Sequence, residues 1–512
     1  MPYKKQLFTK KYDNLQDLID VDDSRGRSVP INMNFIEEGY LTKDTGYQFF
    51  SDEDLLQRYS LFHYKKEDGT SFIISAYDTK LQKWDGAAWV DLTADIWTID
   101  TEFSFYVYNN ELWGSNGVDD YFKFNGTAIT KYATAPKGTS LEVFEDRMFV
   151  TGVSTAPGTY YYSNIGAPQT FTVTDLVKPL GTDKAMTMKN YHGTLLMFKE
   201  KSIWKLSFQY DQIVSLFVPK ITLQSNTYGV ASKDSVVWAE NDLWFFTGSE
   251  VRAIGFVDNQ AGVFGVNQAV ISEQIKETLK NIDISNYSKI RTFYLDRKYY
   301  LSVPIGEDTN NVLFVCHLLY RQRWTKYTGR MKSLINSFLE IDGEMHTNTN
   351  VEPFRIIKWD DSLNDDVTAI SSEVFFRRIE DKLFNRFVTY RYIDLKLKDI
   401  VSTIRLIIKA EASDTTTSII KDTYIGFVTE DMENSLGEVP VAQVLVADSF
   451  GETIQNSPFV KKRGSFLSKS QALIIGLAND RLNETFTISE FILLGYEERR
   501  KTFSGSKIIS MK

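Results

Sequence analysis

Lys83-Trp84-Asp85-Gly86 and Lys123-Phe124-Asn125-Gly126 are one phrase written twice, 40 residues apart. In each copy an aromatic residue ends a strand-like run and an Asp-Gly or Asn-Gly pair follows, the strongest short signal for a tight hairpin turn. A period near 40 residues is the size of one four-stranded propeller blade. Outward from this pair, a polar turn leads directly into a short aromatic or aliphatic strand at Asp68-Gly69, Asn109-Asn110, Glu145-Asp146, His192-Gly193, Asn241-Asp242, Asp296-Arg297 and Asp342-Gly343. Subtracting successive positions of these seven turns gives steps of 41, 36, 47, 49, 55 and 46 residues. The strands that follow include Glu111-Leu112-Trp113, Arg147-Met148-Phe149, Leu195-Leu196-Met197 and Leu243-Trp244-Phe245. Unequal steps are expected where blades carry loop insertions. The longest step holds the best helix candidate, in which Ile271, Ile275 and Leu279 form one apolar stripe between Ser272 as N-cap and Asn281.

Composition agrees with an all-β chain. At 512 residues the length prior of roughly 150 residues per domain suggests two to four units, but many blades can make one large domain. The 35 Phe and 27 Tyr favour pleated surfaces over helices. The repeats end near Trp359, where Asp360, Asp361, Asn364, Asp365 and Asp366 crowd like charges into a solvated link. Downstream, Phe387 to Leu397, Ile404 to Ala410 and Ala472 to Leu477 read as strands, with turns at Thr415 to Ser418 and Gly451 to Ser457. Short strands of this kind suit a β-sandwich. The expected architecture is therefore a β-propeller of six to eight blades followed by a β-sandwich: 1–50 an N-terminal arm and ring-closing strand, 51–360 the propeller, 361–512 the sandwich. Part of Asn34 to Tyr40 is the candidate closing strand.

The residues that carry chemistry are sparse. A net charge of −9 excludes a general basic surface for nucleic acid. The local clusters Lys461 to Arg463 and Arg499 to Lys501 read mainly as solvated strand ends, and Lys4, Lys5, Lys10 and Lys11 precede an acidic stretch from Asp13 to Asp23 in the N-terminal arm. A single cysteine, Cys316, excludes an intrachain disulfide framework and fits a reducing cytoplasm. Met1 to Asp20 lacks the apolar stretch of a secretory signal, and the longest apolar run, Val312 to Tyr320, is too short to span a membrane, so a soluble, unexported protein is expected. Of the four histidines, His63, His192 and His346 lack ligand spacing. His317 follows Cys316 within a strand, where adjacent side chains point to opposite faces. The run Asp20, Asp22, Asp23, Ser24 fails as a calcium loop, because Arg25 stands where glycine is needed and Ile31 where a bidentate Glu is needed. Asp360 to Asp366 has the oxygen ligands for a hard cation but reads better as the link. No nucleotide, acyl-transfer or zinc-peptidase motif occurs, and no repeated sialidase-type turn. The sequence thus nominates no catalytic, cofactor-binding or metal-ligating residue, and no enzyme.

The order of features resembles the propeller-bearing structural proteins of bacteriophage tails, a group of nozzles, hubs and packaged-DNA stabilisation proteins. The resemblance is carried by Tyr121 to Gly126, Ala135-Pro136-Lys137-Gly138, Glu145 to Val150, Tyr161 to Asn164, Leu196 to Leu206, Gly229 to Ser232, Leu243 to Phe246 and Gly248 to Val251. It covers about Asp68 to Trp359. It implies a virion tail component without catalysis, assembled in the host cytoplasm. It also implies a homo-oligomeric ring, often a hexamer, with other tail proteins as partners and genome DNA passing without sequence-specific contact. The rival readings are a carbohydrate-binding or carbohydrate-cleaving propeller of a host-recognition apparatus, and a freestanding interaction scaffold.

Overall fold

The computed structural model describes residues 4–12, 29–35, 40–52, 54–172, 174–212, 216–256, 264–266, 270–320, 322–376, 379–380, 388–398, 403–411, 417–426, 460–470, 472–481 and 486–499. It divides into two compact units, Tyr47–Asp361 and Met1–Gly46 with Ser362–Lys512.

The larger unit is a β-propeller with seven antiparallel blades among the described residues, six of them four-stranded sheets and the seventh formed by four strands of a larger sheet. Blade 1 begins at Arg58–Lys65, blade 2 at Ser104–Tyr108, blade 3 at Ser140–Phe144, blade 4 at Ala185–Tyr191, blade 5 at Val236–Ala239, blade 6 at Arg291–Leu295 and blade 7 at Ile335–Ile341. These first strands are the innermost. They lie against their neighbours around the ring between blades 7 and 1, 1 and 2, 2 and 3, 3 and 4, 5 and 6, and 6 and 7.

The recurrent turns all perform one task, joining the innermost strand of a blade to its second strand. Asn109 and Asn110, Glu145 and Asp146, Asp296 and Arg297 have φ between 48° and 61°, while His192-Gly193 and Asp342-Gly343 have φ of 44° and 74°, 50° and 85°. Positive φ at both central residues gives the turn whose twist matches the flanking strands. In blade 5 the turn is Glu240-Asn241, one residue earlier than the spacing suggests, because Asp242 already pairs with Ala239. Trp84 and Phe124 mark a second recurrent joint, each ending the third strand of adjacent blades. Asp85 Oδ1 accepts from Ala87 N at 2.9 Å and Ala88 N at 2.8 Å, and Asn125 Oδ1 accepts from Thr127 N and Ala128 N, both at 2.9 Å. Trp84 meets Phe50 at 5.5 Å between blades 7 and 1, and Phe124 meets Tyr64 at 6.0 Å between blades 1 and 2.

Second strands fill the space between blades. Leu195, Met197 and Leu206 of blade 4 pack with Phe149 and Tyr160 of blade 3, while Leu196, Phe198 and Ile203 face Leu243 and Phe245 of blade 5. Each strand thus serves two neighbours through its two faces, so these strands are apolar throughout rather than alternating. The ring closes where Tyr47–Phe49 pairs with Ile356–Trp359 as the fourth strand of blade 7. The closing strand therefore lies inside 1–50 but not in Asn34 to Tyr40; Met33–Phe35 instead pairs with Leu41–Lys43 in the other unit. The expected helix is shorter than its stripe. Lys276–Leu279 forms a single α-helical turn after the 3-10 turn Glu273–Ile275, with Ile275 and Leu279 buried. Ser272 does not cap it, since its hydroxyl accepts from Val251 N at 2.8 Å.

The smaller unit holds two antiparallel sheets. Lys4–Tyr12 and Leu41–Lys43 pair with different stretches of Thr487–Arg499, which also pairs with Val388–Lys398. Where the sequence suggests an arm, the chain supplies sheet strands. In the second sheet Thr403–Glu411 lies between Ala472–Asn479 and Thr417–Gly426. Val460–Ser470 of the first sheet contacts strands Thr403–Glu411 and Thr417–Gly426 of the second, and Ile393, Leu395, Leu406, Ile408 and Leu477 are buried. The acidic run is not a solvated link: Asn364–Asp365 pairs with Thr368–Ala369, Asp366 turns at φ 54°, and Asp365 is only 5% exposed. A hairpin satisfies the backbone that an extended link would leave to water.

Candidate functional site at the propeller axis

The innermost strands line a partly open axial cavity of about 570 Å³. Its wall is stapled by hydroxyl groups at the end where the chain enters each inner strand. Ser337 Oγ accepts from Leu61 N at 3.3 Å, Ser60 Oγ from Phe103 N at 2.7 Å, and Ser104 Oγ from Leu141 N at 3.3 Å; Ser140 Oγ meets Thr187 Oγ1 at 3.0 Å. One hydroxyl per blade thus satisfies an inner-edge group of the next, from blade 7 to blade 4. Register shifts at Tyr59/Phe62, Ala185/Thr187 and Ile335/Ser337 re-aim these strands locally, the usual effect of a bulge.

Six charged side chains line the same cavity. Lys189, Lys233 and Arg291 belong to blades 4, 5 and 6 or their entries; Glu102 and Glu142 belong to blades 2 and 3, and Asp234 adjoins Lys233. Lys189 Nζ stands 4.0 Å from Glu142 Oε2, and Lys233 Nζ 3.6 Å from Glu102 Oε2. Arg291 pairs with Glu102 and lies 3.7 Å from Asp234, while its Nε and Nη1 donate to Asn336 O at 3.0 Å and Ser288 O at 2.6 Å. The pairs to Glu102 run from blades 5 and 6 to blade 2, so side chains span the mouth of the axis. Burial pushes the Glu142 carboxyl above the usual range, against the pull of Lys189 and of backbone donors. Farther along the strands the lining turns aromatic, with Phe293 and Phe338 stacked at 5.3 Å.

A second cavity of about 370 Å³ lies by the turn of blade 5, lined by Glu240, Asp242, Trp244 and Leu318 among others. Burial raises the Asp242 carboxyl, with His192 opposing and Glu240 adding to the shift.

The residues weighed from sequence are not gathered into either site. Cys316 is fully buried, and burial pushes its thiol up. His317 shares a hydrogen bond of 3.1 Å with Thr325 Oγ1 in the core. His346 packs edge-on against Phe50 at 5.0 Å, and His192 sits on the exposed turn of blade 4. Asp20 to Ser24, Gly451 to Ser457, Arg500 and Lys501 lie outside the described residues; Lys461 to Arg463 falls within strand Val460–Ser470. No group of three or more His, Cys, Asp or Glu side chains suited to a metal ion occurs among the described residues, nor any helix long and apolar enough to cross a membrane. The axial charges escaped the sequence reading, although a signal exists: Glu142 and Lys189 each stand three residues before a recurrent turn, in strands otherwise mostly apolar or hydroxylic.

No family model matches this chain, and no curated protein does. Among solved structures it is similar to the computationally designed Ika8 protein (9% identity, 60% of this chain and 99% of that one, TM-score 0.36). It is also similar to the Neurospora crassa Pan2 WD40 domain (9%, 62% and 95%, TM-score 0.34) and to the N-terminal domain of Nup159 (8%, 65% and 98%, TM-score 0.39). The assignment as a propeller rests on the seven sheets and their order around the ring.

Proposed function

We propose that the chain is a non-enzymatic structural component of a bacteriophage tail, a nozzle, hub or connector in a ring around the DNA exit channel. The observation that carries this reading is where the resembling segments fall. Tyr121 to Gly126, Glu145 to Val150, Leu196 to Leu206 and Leu243 to Val251 occupy second and third strands, with their joining turns, in four successive blades. The resemblance thus follows the repeat rather than one local motif. Because Glu102, Lys233 and Arg291 span the mouth of the propeller axis, DNA would pass through the lumen of a ring of copies, often six in the resembling proteins. An acidic chain suits that lumen, since a like-charged wall lets DNA slide. Imaging and crosslinking of purified virions test the reading: a ring at a tail end supports it, and absence of the protein from intact particles sinks it.

One observation favours the carbohydrate alternative. Trp238 is 37% exposed beside His192, and Glu240 with the raised Asp242 lines the cavity next to it. That reading predicts glycan binding lost on Trp238→Ala; an array of host surface glycans that shows no binding removes it.

A further inference from the structure

We propose that the axial cavity binds a small zwitterion of the α-amino-acid class, its anionic group on Lys189 and Lys233 and its ammonium on Glu142. This goes beyond the tail reading and stands without it. The first argument is layout. Three cations come from consecutive blades 4, 5 and 6, with Asp234 among them, and the facing carboxylates Glu102 and Glu142 come from blades 2 and 3. Three cations against three carboxylates balance, which a net-charged guest would upset and a zwitterion preserves. The second argument is unused hydrogen-bonding capacity. The nearest carboxylates to Lys189 and Lys233 stand at 4.0 and 3.6 Å, beyond hydrogen-bond reach, and neither ammonium makes a hydrogen bond among the described residues. Arg291, by contrast, is held by Asn336, Ser288 and Glu102 and serves as a fixed wall. The third is size and lining. About 570 Å³ lies within the range of small-molecule sites, and the stacked Phe293 and Phe338 give it an apolar flank against which a guest's side chain can pack.

The full chain is titrated with free L-leucine, L-glutamine and glycine, read by calorimetry and by the rise in thermal midpoint. Saturable binding is expected for at least one. The N-acetyl derivative, which lacks the ammonium, and the corresponding amine, which lacks the carboxylate, should each bind at least about tenfold more weakly. Lys189→Met, at a partly exposed position, should lose affinity to a similar extent, and Lys189→Gln guards against a variant that fails to fold. Absence of saturable binding to the unmodified chain overturns the proposal. So does equal binding of either derivative, or affinity unchanged in both Lys189 variants.

Discussion

Ser60 shows how much a single hydroxyl can settle. Its backbone is held at φ 56°, a left-handed conformation uncommon outside glycine and asparagine, and in return its Oγ reaches the amide of Phe103 in the next blade. Ser60→Ala leaves that amide without its acceptor, so we expect a loss of about 1–3 kcal/mol, read as a lower midpoint in chemical denaturation. His346 supplies a second expectation. Burial against Phe50 holds its imidazole below the ordinary 6.5, with Glu344 opposing and Lys358 and His63 adding to the depression. A lowered histidine is neutral in the fold, so its contribution is intact above pH 6.5 and fades as pH falls from there toward the folded-state value. His346→Gln should flatten the fall in thermal midpoint between about pH 7 and pH 5; an unchanged slope would show that another group carries it. Neither role could be read along the chain. The staple and the buried imidazole exist only because strands distant in sequence become neighbours around the ring.

Turns and strands were far more legible than the axis, and the reason is local. A two-residue turn with positive φ at both positions leaves its mark in Asn, Asp and Gly wherever the chain needs it, whatever surrounds it. Glu145-Asp146, like Asp296-Arg297, departs in chemistry though not in geometry, with φ of 48° and 55° on residues that do not favour it equally. Replacing the pair by Asn-Gly should stabilise blade 3 by up to about 1 kcal/mol, raising the thermal midpoint. The closing strand is hard to read for the opposite reason. Tyr47–Phe49 is three residues long and is a strand only because Ile356–Trp359 offers it an edge, so nothing in its own periodicity announces it. The same holds for Lys4–Tyr12, which reads as a charged arm until the edge of Thr487–Arg499 is in view. Gln48→Pro removes a backbone donor from the strand that seals blade 7. It should cost more than about 1 kcal/mol and open the ring first at that blade, measurable as amide exchange gained at Ile356–Trp359 before any other strand.

At the scale of the whole molecule, the seven-blade ring gives every blade two apolar neighbours, so the larger unit buries its second strands without a central core. If copies form a permanent ring, each interface should bury more than about 1,000 Å², and crosslinks should join the two ends of the protein's surface chemistry, basic strands to acidic turns. Isolated chains that stay monomeric in dilute solution are compatible with a ring templated by a neighbouring tail protein, whereas particles crosslinked without any inter-copy product are not. The way the ring closes also sets a timetable for synthesis. The strand Tyr47–Phe49 leaves the ribosome before any blade, yet its partner Ile356–Trp359 emerges roughly 300 residues later, on the order of 15–60 s at ordinary translation rates. Throughout that interval blade 1 presents the flank that will meet Leu339 and Ile356 with nothing against it. The nascent protein is therefore an open arc with a sticky leading face, and the last few residues of the propeller to be made decide whether that arc becomes a circle or finds another chain's arc first.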